Sequence, residues 1–136
     1  MLLTMIGIMS ASICTSVLAE WTPLEKDDVK VVYIDLASIR RVGNTVKMWS
    51  LSDFKVEQEV AGERFLSEKM QHAADCKEEQ MTPLAMVVFR RNMGNGTVVF
   101  SDNVPPRWKP VSPESFGEKL LKIACGEYPT EAITVD

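Results

Sequence analysis

The chain has a single histidine, His72, three cysteines, and no charged residue before Glu20. Each scarcity excludes something. One histidine with one nearby cysteine, Cys76, does not make a metal site, which needs three or four ligands. The same histidine, on a stretch that also alternates like a strand, makes no Ser-His-Asp set. Gly94-x-Gly96 lacks the strand-to-helix setting of a phosphate loop and reads as a hairpin turn. The acidic residues follow no catalytic motif and suit a solvated surface. No excess of positive charge is present, the net charge being −4, so nucleic acid is not the expected partner. No reaction and no cofactor is named by these residues, and the chain reads as a non-enzyme.

The N-terminus is short of both charge and length. Residues 1–19 are mostly Leu, Ile, Met, Ala and Ser. The run is shorter than the about 20 apolar residues of a membrane span. It ends in Val17-Leu18-Ala19, small enough for a signal peptidase, and polar chain follows at once. We read residues 1–19 as a signal peptide cut between Ala19 and Glu20, although its first residues lack the usual Lys or Arg. No membrane-spanning segment is then left. Residues 20–136 form one domain of modest size, for which a covalent staple is useful.

Export simplifies the cysteines. Cys14 leaves with the leader, and its neighbour Ile13 is a poor match to a lipid-attachment motif. Cys76 and Cys125 remain, an even count in an exported chain, and are expected to form a disulfide.

Periodicity predicts strands at Lys30–Asp35, Thr45–Asp53, Leu84–Arg90 and Thr97–Ser101, rich in β-branched and aromatic residues. Asp35 is expected to cap a short helical turn, Arg40–Asn44 to be a turn, and Phe54–Glu63 a polar loop. Asn92–Gly96 is expected to close a hairpin. Arg64–Cys76 is ambiguous: its composition slightly favours helix, its alternation allows strand. Ser112-Pro113-Glu114 looks like the start of a helix. The stripe Phe116, Leu120, Ile123, Ala124 follows at helical spacing, and Gly126 stops it. Ala132–Val135 is a candidate edge strand. Trp21, Trp49 and Trp108 could form an aromatic binding platform, but core packing is the stronger expectation for Trp49 and Trp108. The sum is α+β: a small antiparallel β-sheet packed against a C-terminal α-helix, with one disulfide.

One ordered set of residues goes further. Tyr33-Ile-Asp35, Ser38-Ile39-Arg40, Trp49, Ser67, Asp75-Cys76, Gly94-x-Gly96, Trp108-x-Pro110-Val111-x-Pro113-x-Ser115 and Cys125 resemble the bacterial surface-adhesin E family. The resemblance spans essentially all of residues 20–136. It implies a small antiparallel sheet with a C-terminal helix tied by these two cysteines, and so makes Arg64–Cys76 a strand. It also implies export to the surface of a Gram-negative-type cell, binding to host extracellular-matrix proteins, and a capacity to form a homodimer. The chain departs from the anchored adhesin in lacking a well-placed lipid-bearing cysteine. Two readings of function follow: a surface-adhesin module that holds a protein partner, or a periplasmic structural or assembly domain whose partner is bacterial. The shared motif looks structural and brings no binding residues with it. Independently, Arg40-Arg41, Arg90-Arg91 and Arg107-x-Lys109 are three basic pairs. If the turns gather them at one end of the sheet, they form a patch for acidic glycans or matrix proteins.

Overall fold

The computed structural model describes residues 21–127, together with Ser12. The expected leader, its expected boundary at Ala19 and Glu20, Cys14, and the candidate strand Ala132–Val135 lie outside the described residues. Seven strands follow in chain order: β1 (Trp21–Lys26), β2 (Lys30–Val42), β3 (Thr45–Val60), β4 (Glu63–Asp75), β5 (Gln80–Phe89), β6 (Val98–Asn103) and β7 (Lys109–Pro110). One helix, α1 (Phe116–Ala124), closes the described chain. The sheet has the order β1-β2-β3-β4-β5-β6, with β7 also paired to β5. Every pairing is antiparallel. The α+β architecture expected from the pattern is the one found.

Pairing decided the stretch that composition left open. β4 pairs with β3 from Thr45↔Asp75 to Val60↔Glu63, and with β5 from Ser67↔Phe89 to Asp75↔Gln80. Two flanking ladders outweigh the few tenths of a kcal/mol per residue by which Glu, Lys and Gln favour helix. Phe54–Glu63 is also not a loop. β3 runs on to Val60, turns at Ala61-Gly62, and returns through Glu63–Phe65. Its polar composition reflects a hairpin largely exposed to water. Asp35 does not start a helical turn. β2 continues through an irregularity between Asp35 and Arg40. The Asp35 carboxylate accepts from the Ala37 N–H at 3.1 Å, so the short-range cap is real and serves a bulge. The turn after β2 is only Gly43-Asn44, with Gly43 at φ +62°.

α1 lies across one face of the sheet. Leu120, Leu121, Ile123 and Ala124 are buried against Leu24, Ile34, Val46, Met48 and Ala74. Burying each of the larger side chains contributes about 1.5–3 kcal/mol before entropy is counted. The helix begins later than its sequence suggests. Its N-cap is Ser115, whose hydroxyl accepts from the Glu118 N–H at 3.1 Å and donates to the Ser112 carbonyl at 2.6 Å. Ser112 is held in the preceding turn because Val111 donates its N–H to Glu79 and β7 is tied to β5. Glu114 sits at φ +60°, which no helix admits. At the other end the Cys76–Cys125 disulfide joins the turn after β4 to the end of α1, and Gly126 stops the helix at φ +76°.

The opposite face closes on itself. The Lys69 ammonium lies 5.5 Å from the ring of Trp21 on β1 and 5.1 Å from that of Phe89 on β5. Strands that far apart in the order approach one ammonium only if the sheet is strongly curled. A short 3-10 turn, Asn92–Gly94, replaces the simple Asn-Gly hairpin and folds over this face. The Asp53 carboxylate accepts from the Met93 N–H and the Asn92 amide. The Ser67 hydroxyl donates to the Arg91 carbonyl and accepts from the Gly94 N–H. Ser67 and Leu51 are thereby fully buried. Trp108, expected in the core, is instead 41% exposed, and Trp49 is half-buried.

Candidate functional site

α1 has nine residues and covers the part of its sheet face nearest the disulfide. The rest of that face is open and forms a groove. Side chains of paired residues share a face, so Val32, Ser52 and Glu68 stand in one cross-strand row, and Ile34, Ser50 and Met70 in the next. The first cavity, of about 390 Å³, has Val32, Phe54, Met70 and Phe116 as its apolar part and Glu25, Lys30 and Glu68 among its charged groups. A second, of about 280 Å³, shares His72 and Phe116 with it and adds Met81, Pro83, Val111 and Leu120. A third, of about 390 Å³, shares Met81, Pro83 and Lys109 with the second and adds Val104, Pro105 and Arg107. Each cavity shares lining residues with the next; the first two lie along the start of α1, the third lies beside β7, and the series is called the trough.

Burial governs His72 and Glu68 in the trough. His72 lies at the joint between the first two cavities, and burial lowers its pKa from 6.5 to about 4. It is neutral at pH 7, and its Nε2 is 3.0 Å from the Ser50 hydroxyl. A hydroxyl and an imidazole are two parts of a hydrolytic triad. Among the described residues no carboxylate hydrogen-bonds the imidazole, so the pair reads as a satisfied buried histidine. Burial raises the pKa of Glu68, and the charge of Lys30 opposes the rise. Asp27 moves the other way, lowered by the N–H groups of Lys30 and Val29 that donate to it. Among the described residues no three His, Cys, Asp or Glu side chains gather as metal ligands.

Two of the three basic pairs are brought to one end of the sheet and the third is not. Arg40 pairs with Lys47, and Lys47 with Ala73. Ala73 pairs with Thr82, whose hydroxyl accepts from the Arg107 N–H at 2.6 Å. The adjacent row runs Arg41, Val46, Ala74, Met81, Lys109. Arg40, Arg41, Arg107 and Lys109 therefore lie at the disulfide end of the sheet. Arg90 and Arg91 follow Phe89, which pairs with Ser67, at the opposite end. There Arg90 forms a 2.7 Å ion pair with Glu63, both exposed. Trp108 stands between Arg107 and Lys109, exposed, on a segment stiffened by Pro105, Pro106 and Pro110.

The trough went unseen in sequence. Its floor is one face of β4, with Glu68, Met70 and His72 two residues apart. That alternation was visible. What could not be read was that the helix starts at Phe116 and leaves the face open.

The family model described as surface-adhesin protein E matches residues 21–126. Among solved structures, crystal form II of Haemophilus influenzae protein E superposes with a TM-score of 0.66 at 17% identity, covering 87% of this chain and 96% of that one. Protein E from non-typeable Haemophilus influenzae gives a TM-score of 0.65 at 20% identity, covering 93% of this chain and 88% of that one. These likenesses, at such low identity, are likenesses of fold. No curated protein sequence matches the chain.

Proposed function

The chain belongs to the surface-adhesin protein E family, and from that premise we propose that it is an exported, non-catalytic module that binds a protein partner, with host extracellular-matrix proteins as the partner class. The observation that carries this is the family match over residues 21–126. The leader is residues 1–19, and the exported chain starts at Glu20.

The disulfide end of the sheet is the surface we assign to the partner. Trp108 is exposed there beside Arg107 and Lys109, with Arg40 and Arg41 at the same end. Trp and Arg are the residues that most often carry binding energy at interfaces. The flanking prolines reduce the ordering cost of the segment. Arg90 and Arg91 are left out, because β5 takes them to the other end.

The test is biosensor binding of the oxidised protein, purified after expression of the full chain, to a panel of matrix proteins and sulfated glycans at physiological salt. Saturable binding to a matrix protein is expected. Trp108→Ala should weaken it about tenfold or more, as a central aromatic does, without changing the thermal midpoint. Oxidised, folded protein that binds none of the panel would refute the host-matrix reading.

A further inference from the structure

We propose that the trough along the start of α1 binds an extended segment of a partner protein, with a basic residue at one end, apolar residues in the middle and an acidic residue at the other. This deepens the reading of the chain as a protein-binding module and rests on it.

The trough is polarised. Glu25 and Glu68 stand at its first cavity, with Lys30 as the opposing charge. Arg107 and Lys109 stand at its third. Between them the walls are Met70, Phe116, Met81, Pro83 and Val111. A segment of opposite polarity meets a matching charge at both ends and loses apolar surface from water between them. Methionine side chains at the floor, flexible and polarisable, adapt to more than one apolar residue.

Length agrees with an extended peptide. The trough runs across the strands from β2 through β3, β4 and β5 to β7. Four steps at about 4.8 Å give about 19 Å, and a strand rises about 3.3 Å per residue, so about six residues fill it. The acidic end already shows how it takes a cation: the Lys30 ammonium lies 5.7 Å from the centre of the Phe54 ring. A lysine or arginine from the partner finds there an aliphatic floor for its stem and the half-buried carboxylate of Glu68. A fatty acid is the rival occupant. It would use the apolar middle and Lys109 but has nothing to offer Glu25 and Glu68.

The test selects binders from a random hexapeptide display library on the oxidised protein purified from cells expressing the full chain, then measures an enriched peptide by fluorescence anisotropy. Enriched sequences should separate a basic from an acidic residue across apolar positions. Glu68→Lys and Lys109→Glu should each weaken the peptide about tenfold. Inverting both ends together, with Glu25→Lys, Glu68→Lys, Arg107→Glu and Lys109→Glu in one protein, should recover binding, because an extended peptide can turn round to meet the inverted charges, and misfolding cannot produce that recovery. Selection with no enrichment, enrichment without charge separation, or displacement of the peptide by equimolar palmitate that is unaffected by both charge changes would each overturn the proposal. Matrix-protein binding that persists while the hexapeptides fail overturns the trough and leaves the module reading standing.

Discussion

Removing the Cys76–Cys125 disulfide is expected to lower stability by about 4 kcal/mol. The two cysteines are 49 residues apart, and the loop they close contains β5, β6, β7 and α1. In the chain-entropy account, a loop of that length costs the unfolded state about 14 cal/mol/K, or about 4 kcal/mol at 25 °C. For residues 21–127, an unfolding entropy of about 2.1 cal/mol/K per residue turns that into a fall in midpoint of about 18 °C. The perturbation is Cys76→Ala with Cys125→Ala, read by thermal and urea unfolding followed by tryptophan fluorescence. The urea slope should rise in the double variant, because the uncrosslinked unfolded chain exposes more surface. A midpoint shift below about 5 °C would refute the reasoning. It would mean that the buried stripe of Leu120, Leu121, Ile123 and Ala124 holds the helix by itself, and that the crosslink constrains little of the unfolded ensemble.

Other expectations come from single groups. His72 has a folded pKa of about 4 against an unfolded value of 6.5, so the unfolded chain binds more protons in that window. Stability is therefore full above about pH 6.5 and declines as pH falls to about 4, by roughly 3 kcal/mol. Urea midpoints across pH should show that decline in the wild type and lose most of it in His72→Gln. The raised pKa of Glu68 has the opposite sign, its contribution being lost as pH rises, and it cancels in the comparison. Ser115→Ala should cost about 1 kcal/mol by removing the cap on α1. Ser112→Ala should cost little, since only the carbonyl of Ser112 is used; equal losses in the two urea titrations would return the helix start to Ser112.

Local signals were legible where local chemistry decides the structure. β-Branched runs marked the first parts of β2 and β3, the last part of β5 and most of β6. The helix stripe and Gly126 placed the end of α1. Cysteine parity, with residues 1–19 read as a leader, paired Cys76 with Cys125. The failures lie where distant pairing decides. Phe54–Glu63 is polar because water bathes it, and a polar hairpin and a polar loop have the same composition. Ser112-Pro113-Glu114 carries every mark of a helix start. The backbone there is nonetheless held by β7 and by Glu79, contacts that sequence spacing does not show. Trp108 is a large aromatic, but the prolines around it keep its segment at the rim, where no second layer covers it. Arg90-Arg91 is parted from the other basic pairs for a simpler reason: Arg40-Arg41 lies before the turn between β2 and β3, Arg90-Arg91 lies after β5, and the antiparallel order sends those positions to opposite ends.

The late start of α1 links fold to site. Had the helix begun at Ser112 it would have carried nearly another turn across the sheet, about 1.5 Å for each added residue, and covered part of the face that now forms the trough. The chain instead spends Val111–Ser115 on an edge pairing, a positive-φ turn and a serine cap. The two ends of the helix are consequently held by different means. The C-terminal end has the disulfide and the buried stripe. The N-terminal end has hydrogen bonds of Ser115 and the half-buried Phe116, which lines two of the three cavities. Strong anchoring at one end lets the other remain lightly packed without loss of the fold, and a lightly packed apolar wall is what an adaptable peptide site requires. Under the proposal of a peptide-binding trough, the disulfide would serve binding as well as stability, because it fixes the helix whose first turn lines the trough.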